Sequence, residues 1–185
     1  MKLQAKARLL AEKFDDYIYR LRDSGIKRLG DGAHGEVFVH PTDPTIAVKI
    51  VSKDSANRLW LNFCETQQEN PFVVKIHHIQ DIELEDTRKA YAVFMERLKP
   101  MTELRYNKFL RSVDLGNRLA EAANYAWVFI ANDKRFWEEA AKGTKDANLA
   151  KVAYYLSKTQ RRLDMNEDNF MLRGNQIVFV DPLSP

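Results

Sequence analysis

Two stretches of this chain carry residue types that phosphate chemistry uses. Residues 30–37 read Gly-Asp-Gly-Ala-His-Gly-Glu-Val, and Ala47-Val48-Lys49 follows. Far along the chain, residues 164–169 read Asp-Met-Asn-Glu-Asp-Asn, and Asp181-Pro182 closes the apolar run Ile177–Val180. Glycines at 30, 32 and 35 let backbone N–H groups approach phosphate oxygens with no Cβ in the way. A lysine inside an apolar strand is costly unless it meets an anion, and a triphosphate or a carboxylate would serve. Asp164 can orient a hydroxyl or accept its proton, while Asn169 and Asp181 offer oxygen ligands to magnesium. A phosphate cover, a pairing lysine, a base and metal ligands are the parts that phosphoryl transfer needs together.

Each signal has a plainer reading. A lone glycine triplet can be a structural hairpin turn. A helix after it would suggest a dinucleotide site, but here the alternating segment Glu36-Val37-Phe38-Val39-His40 follows, which favours a nucleotide-covering hairpin. Lys49 could be an edge-strand lysine reaching water. A carboxylate for Lys49 is expected from the next helix. Glu65 and Glu69 are one turn apart, and Glu65 is preferred because Glu69 lies beside the terminating Asn70-Pro71. Glu167 and Asp168 read as surface acids. His34, His40, His77 and His78 lack metal-ligand spacing, and His77 and His78, adjacent on a strand, would face opposite ways. Cys64 is the only cysteine, so no intrachain disulfide or cysteine metal cluster can form, and it reads as a small core residue.

The elements that must hold these residues divide the chain. Residues 2–22 have an amphipathic helical pattern ended by Asp23-Ser24-Gly25. Strands are expected over 36–40, 45–51, 73–79 and 90–95, and a helix over 54–69 with Leu59, Phe63 and Leu61 inward. After Leu98-Lys99-Pro100 the pattern is helical near 103–111, 114–131, 133–142 and 146–160, with Trp127, Phe129 and Trp137 as core and Asp146 as an N-cap. A hairpin over 169–180, turning at Gly174-Asn175, ends it. The expected class is α+β: a helix over 1–25, a β-rich lobe over 26–98, and a helical lobe over 99–185 with the terminal hairpin. At 185 residues, 45% apolar and 30% charged, the composition is that of a soluble globular protein. The net charge of +3 is too small to argue for nucleic acid, though it suits an acidic ligand such as a nucleotide. With no apolar run long enough for a membrane and no secretory signal, a cytoplasmic protein is expected.

Taken together, these residues resemble the protein-kinase fold. Residues 30–37 resemble its glycine-rich loop, Ala47-Val48-Lys49-Ile50 its strand lysine, and Asp164–Asn169 its catalytic loop. Asn70-Pro71-Phe72-Val73-Val74-Lys75-Ile76 is similar to the segment after the regulatory helix, and Ala92-Val93-Phe94-Met95-Glu96-Arg97-Leu98 to the hinge strand. The resemblance implies ATP and magnesium as cofactors. Gly30, Gly32, Gly35, Val37, Ala47 and Lys49 would lie on the nucleotide, with Met95 as gatekeeper and backbone groups of Glu96 and Leu98 holding adenine. Lys49 and Glu65 would anchor phosphates, Asp164 would be the catalytic acid–base group, and Asn169 and Asp181 would hold the metal. Shorter phrases, Arg28-Leu29-Gly30, Val39-His40-Pro41, Asn62-Phe63-Cys64, Leu163-Asp164-Met165 and Val180-Asp181-Pro182, are similar to the compact serine/threonine kinases of short-tailed lytic phages. That narrower likeness implies a host protein as substrate and the host cytoplasm as the place of action.

The departures from the kinase pattern are specific. Leu163 stands where many kinases have Arg, Arg162 where His is usual, and Asp181-Pro182-Leu183 replaces Asp-Phe-Gly. No activation segment or Ala-Pro-Glu motif follows up to Pro185, so the helical lobe is expected to be truncated and control by activation-loop phosphorylation is not expected. The expected activity is a minimal ATP- and magnesium-dependent serine/threonine protein kinase. The alternatives are a nucleotide-binding pseudokinase or inhibitor that docks a host protein, and a small-molecule kinase.

Overall fold

A computed structural model of the chain describes residues 27–32, 35–53, 55–83, 89–114 and 127–184. The amphipathic segment 2–22, the glycine-turn residues Ala33 and His34, and most of the polar run 83–89 lie outside the described residues. The protein is α+β, and it divides into two compact units, Met1–Arg58 with Lys75–Arg97 and Leu59–Val74 with Leu98–Pro185.

The first unit is built on a five-stranded antiparallel sheet. Its strands are β1 (Arg28–Gly32), β2 (Gly35–Val39), β3 (Ile46–Ser52), β4 (Ile76–Glu83) and β5 (Lys89–Glu96), in the order β1-β2-β3-β5-β4. Alternation along the strands separates two faces. Phe38, Val48 and Phe94 are register partners and, with Ile46, Ile82, Ala90 and Ala92, form a buried apolar cluster on one of them. The β2–β3 turn is closed by His40. This buried ring accepts hydrogen bonds at Nδ1 from the backbone N–H groups of Thr42 (3.4 Å) and Asp43 (3.2 Å), which makes it a turn organiser. At His77 the β4–β5 register slips between Ile76 and His78, so strict alternation of the two histidines does not hold.

Helix α1 (Ser55–Thr66) follows β3 and crosses the division between the units. Trp60, Leu61 and Cys64 are buried, whereas Leu59 is 41% exposed and Phe63 is partly covered. The expectation of Leu59 as an inward residue is therefore corrected. The buried stripe is turned by one residue, about 100°, because the Trp60 indole is drawn inward to a backbone carbonyl described below.

The second unit carries β6 (Lys99–Pro100), α2 (Glu103–Val113), α3 (Trp127–Ala131), α4 (Lys134–Gly143), α5 (Ala147–Lys158), β7 (Arg162–Leu163), a 3-10 turn (Glu167–Asn169), β8 (Phe170–Arg173), β9 (Gln176–Phe179) and β10 (Leu183–Ser184). Asp133 and Asp146 cap α4 and α5 through their side chains, the latter as its sequence position suggests. The β8–β9 hairpin turns at Gly174, whose φ of 61° suits glycine, and β6 adds a third strand beside β8. Its Phe170 and Phe179 are register partners with ring centroids 4.8 Å apart, and Tyr106, Phe109 and Trp137 pack around them. Phe129, expected in the core, is 76% exposed. On so short a helix it lies about 200° from Ala131, the fully buried residue, and so faces away. Val73, expected to begin a strand of the five-stranded sheet, instead makes a parallel bridge to Phe179, and the strand starts at Ile76.

Two outcomes follow. A Cβ at Gly35 would be driven into the carbonyl oxygen of Ile50 and sit 3.3 Å from Val51 Cα, while one at Gly30 would meet open space. Gly35→Ala is expected to lower unfolding stability by about 2 kcal/mol and Gly30→Ala by much less, read from urea midpoints. Burial, aided by Lys75 and opposed by Glu96 and Asp43, holds the His77 pKa below its usual 6.5. The folded chain then binds fewer protons at His77 than the unfolded chain does. The stability this contributes is full above pH 6.5 and is lost as pH falls through the lower folded value. His77→Gln should flatten that acid limb in a pH series of thermal melts.

Candidate functional site

In the first unit, the predicted nucleotide residues share one side of the sheet. Gly30 pairs with Val37, Val37 with Lys49 and Lys49 with Val93, and two residues along, Ala47 pairs with Met95. All point away from the Phe38–Val48–Phe94 cluster. Lys49 is half-buried between Val37 and Val93, so its stem is covered by apolar neighbours. A bulge between Arg28 and Gly30 bends β1 beside this row, and the open space at Gly30 leaves its backbone approachable. Gly32 pairs with Gly35 at the base of the turn. Gly35 has its own packing reason to be glycine, so Gly30 is the stronger ligand signal of the two.

The expected hinge is more constrained than its sequence suggests. The Glu96 N–H donates to the Lys75 carbonyl (3.0 Å), the Arg97 N–H donates to the Thr45 carbonyl (2.8 Å), and the Glu96 carboxylate accepts from the Lys75 N–H (2.8 Å). Neither of those two backbone amides is at the disposal of a ligand. Leu98, half-buried, begins the later stretch of the second unit.

In the second unit, Asp164, Asn169 and Asp181 are drawn together by backbone bonds. The Asp164 N–H donates to the Pro182 carbonyl (2.9 Å). The Asn169 side-chain Nδ2 donates to the Asp164 carbonyl (2.7 Å), and the Val180 N–H donates to the Asn169 carbonyl (2.9 Å). Loop, hairpin and the Asp181-Pro182 corner thus form one hydrogen-bonded knot, extended by the pairing of β7 with β10. Asn166 organises the loop from within: its Nδ2 donates to Asp164 Oδ1 (2.8 Å) and its Oδ1 caps the 3-10 turn at the Asp168 N–H. With the Asn169 nitrogen committed to a carbonyl, its amide oxygen is the atom turned outward from that bond. That oxygen and the Asp181 carboxylate are a hard-oxygen pair of the kind magnesium takes, the remaining positions falling to phosphates and water. Among the described residues no group of three or more His, Cys, Asp or Glu side chains converges on a metal position. Glu65 and Glu69 are both exposed; Glu65 lies on the second-unit part of α1 and Lys49 in the first unit.

Three buried or half-buried side chains hold this knot, and sequence reasoning did not single them out for it. The Trp60 indole, 2% exposed, donates to the Val180 carbonyl (2.7 Å), one residue before Asp181. The Asn132 Oδ1 accepts from the Met165 N–H (2.8 Å), and the Tyr106 hydroxyl donates to the Met165 carbonyl, so the peptide groups on both sides of Met165 are pinned. Burial, with the carboxylates of Glu167 and Asp164, pushes the Tyr106 pKa far up, which keeps that hydroxyl a donor. Trp60 and Tyr106 sit at helical core spacing, and Asn132 follows a helix, so no local pattern separates them from ordinary core and turn residues. From the other side, Arg173 donates to the carbonyls of Pro71 and Val73 (3.0 Å each), and the Phe179 N–H donates to the Phe72 carbonyl (2.8 Å).

No protein-family model and no curated protein sequence matches the chain.

Trp60→Phe keeps an aromatic ring, gives up part of its buried volume and removes the indole donor. It should leave the fold intact, at a stability loss of about 2 kcal/mol in urea unfolding. The Asp181 corner should loosen, read as faster amide exchange of the Asp164 N–H that bonds the Pro182 carbonyl.

Proposed function

We propose that the chain is a minimal kinase-like phosphotransferase, acting with ATP and magnesium on Ser/Thr hydroxyls of a protein. The observation that carries the reading is the hydrogen-bonded knot that joins Asp164, Asn169 and Asp181-Pro182. Asp164 and Asn169 of one loop are tied there to the Val180–Pro182 segment that carries Asp181, and core packing alone gives no reason for those three residue types. The single-sided row of Gly30, Val37, Ala47, Lys49 and Met95 in the first unit supports it independently.

In this reading Asp164 orients the accepting hydroxyl through the carboxylate oxygen not bonded to Asn166, and takes its proton as the hydroxyl oxygen bonds the γ-phosphorus and the bond from that phosphorus to the β-phosphate oxygen breaks, releasing ADP. Asn169 and Asp181 would hold magnesium, which, when bound, neutralises charge on the phosphate oxygens. Lys49 would pair with the phosphates from an apolar strand, where a charge–charge contact is worth more than in water. Val37, Ala47 and Met95 would bound the adenine. Catalysis of this kind is positioning and charge stabilisation rather than covalent chemistry. The protein substrate, a host protein in the host cytoplasm, rests on the resemblance to the compact phage kinases.

The test is transfer of radiolabelled phosphate from ATP into a host-cell lysate by the purified chain. Label should appear on protein serine or threonine. It should fall at least ~100-fold in Asp164→Ala and in Lys49→Ala, and disappear when magnesium is chelated. ATP binding without transfer would replace the enzyme by a pseudokinase or docking inhibitor. Label on metabolites alone would make it a small-molecule kinase.

A further inference from the structure

The α4–α5 helix pair presents a surface that the phosphate chemistry leaves unused. Between the two helices opens a groove of about 370 Å³. Its floor is apolar, made by Ala141, Ala150 and the ring of Tyr154, and its rim carries Lys142, Lys151 and Lys158. On α5, Lys151, Tyr154 and Lys158 fall at i, i+3 and i+7, so one helical face presents cation, ring and cation in turn. Tyr154 is 61% exposed, a large ring left in water, with the Lys158 ammonium 5.9 Å from its centroid.

Glu138 shows what the groove accepts. Its carboxylate lies 3.1 Å from Lys142 Nζ and 3.8 Å from Lys158 Nζ, and those lysines hold its pKa below the usual carboxylate value. One acid is thus already bridged by two of the three lysines. Lys151 has no ion pair among the described residues. Three lysines against one glutamate leave an excess of two positive charges around an apolar floor. A nucleic-acid backbone would want a continuous basic track, and Glu138 interrupts this one.

We propose that this groove docks an acidic, aromatic-bearing segment of a protein partner. The segment's carboxylates would meet Lys151 and Lys158, and its ring would lie on Tyr154. Exposed charges of this kind give selectivity and encounter rate more than tight affinity, and salt screens them. The site needs neither ATP nor the Asp164 knot, so it stands or falls apart from the kinase reading.

Fluorescence anisotropy on the full chain tests it with three labelled probes of equal length: a peptide of Asp and Glu around one Phe, the same peptide with Lys for every acid, and oligothymidylate. The acidic peptide should bind at low salt and weaken as salt rises, with the other two probes bound far less. Lys151→Glu should weaken it roughly tenfold, Lys151→Arg should retain it, and Tyr154→Ala should weaken it while the salt dependence stays. Both side chains are exposed, so circular dichroism should confirm unchanged folding in each variant. The proposal is overturned if the basic peptide or oligothymidylate binds as well as the acidic peptide, if acidic binding is undetectable, or if Lys151→Glu leaves it unchanged.

Discussion

The pairing of Phe170 with Phe179 is the constraint on which the rest of the second unit depends. The two rings are register partners across the hairpin and sit in an aromatic cluster with Tyr106, Phe109 and Trp137. Asn169 immediately precedes one of them, and Val180-Asp181 immediately follows the other. Burying that ring pair fixes the two ends of the hairpin, and with them the amide and the carboxylate proposed as metal ligands. Polar groups at the hairpin mouth are thereby located by apolar packing two residues away or less. Close-packed rings tolerate little displacement, so the mouth inherits the rigidity of the core.

The first unit uses a different device for the same end. There the period of two along each strand sorts residues between faces, with Phe38, Val48 and Phe94 on one and Val37, Lys49 and Val93 on the other. A lysine can occupy the middle of a buried strand because its neighbours in the chain carry the apolar load on the opposite face. Its register partners on that face are valines, Val37 and Val93. Gly35 adds a steric condition, because the hairpin can approach β3 this closely only without a Cβ.

Much of this was legible in the sequence because it is local. Alternating residues marked β2, β3 and β5, Gly174-Asn175 marked the hairpin turn, and Asp146 marked the start of α5. The grouping of Asp164 with Asn169 could be read from their spacing. What was not legible is what depends on distant partners. Leu59 was expected inward, but the stripe of α1 is set by where the Trp60 indole finds a carbonyl 120 residues away. Val73 looked like a strand residue of the large sheet until Phe179 claimed it. The two-residue strands β6, β7 and β10 have no period to read. Asn132 and Tyr106 carry no signal of their own, since pinning the peptide groups on either side of Met165 is a matter of position, not of type.

The segment Leu59–Val74 belongs to a unit whose remaining residues begin only at Leu98. As the chain leaves the ribosome, every strand of the five-stranded sheet has met its ladder partners once β5 has emerged. Trp60, Pro71 and Val73 must wait for Val180, Arg173 and Phe179, contacts closed over a hundred residues of intervening chain. Synthesis therefore produces one unit early and holds an apolar piece of the other uncovered until nearly the last strand is made. Loop closure on that scale is slow relative to local pairing. The interval is the time in which chaperones, or aggregation, would find this chain.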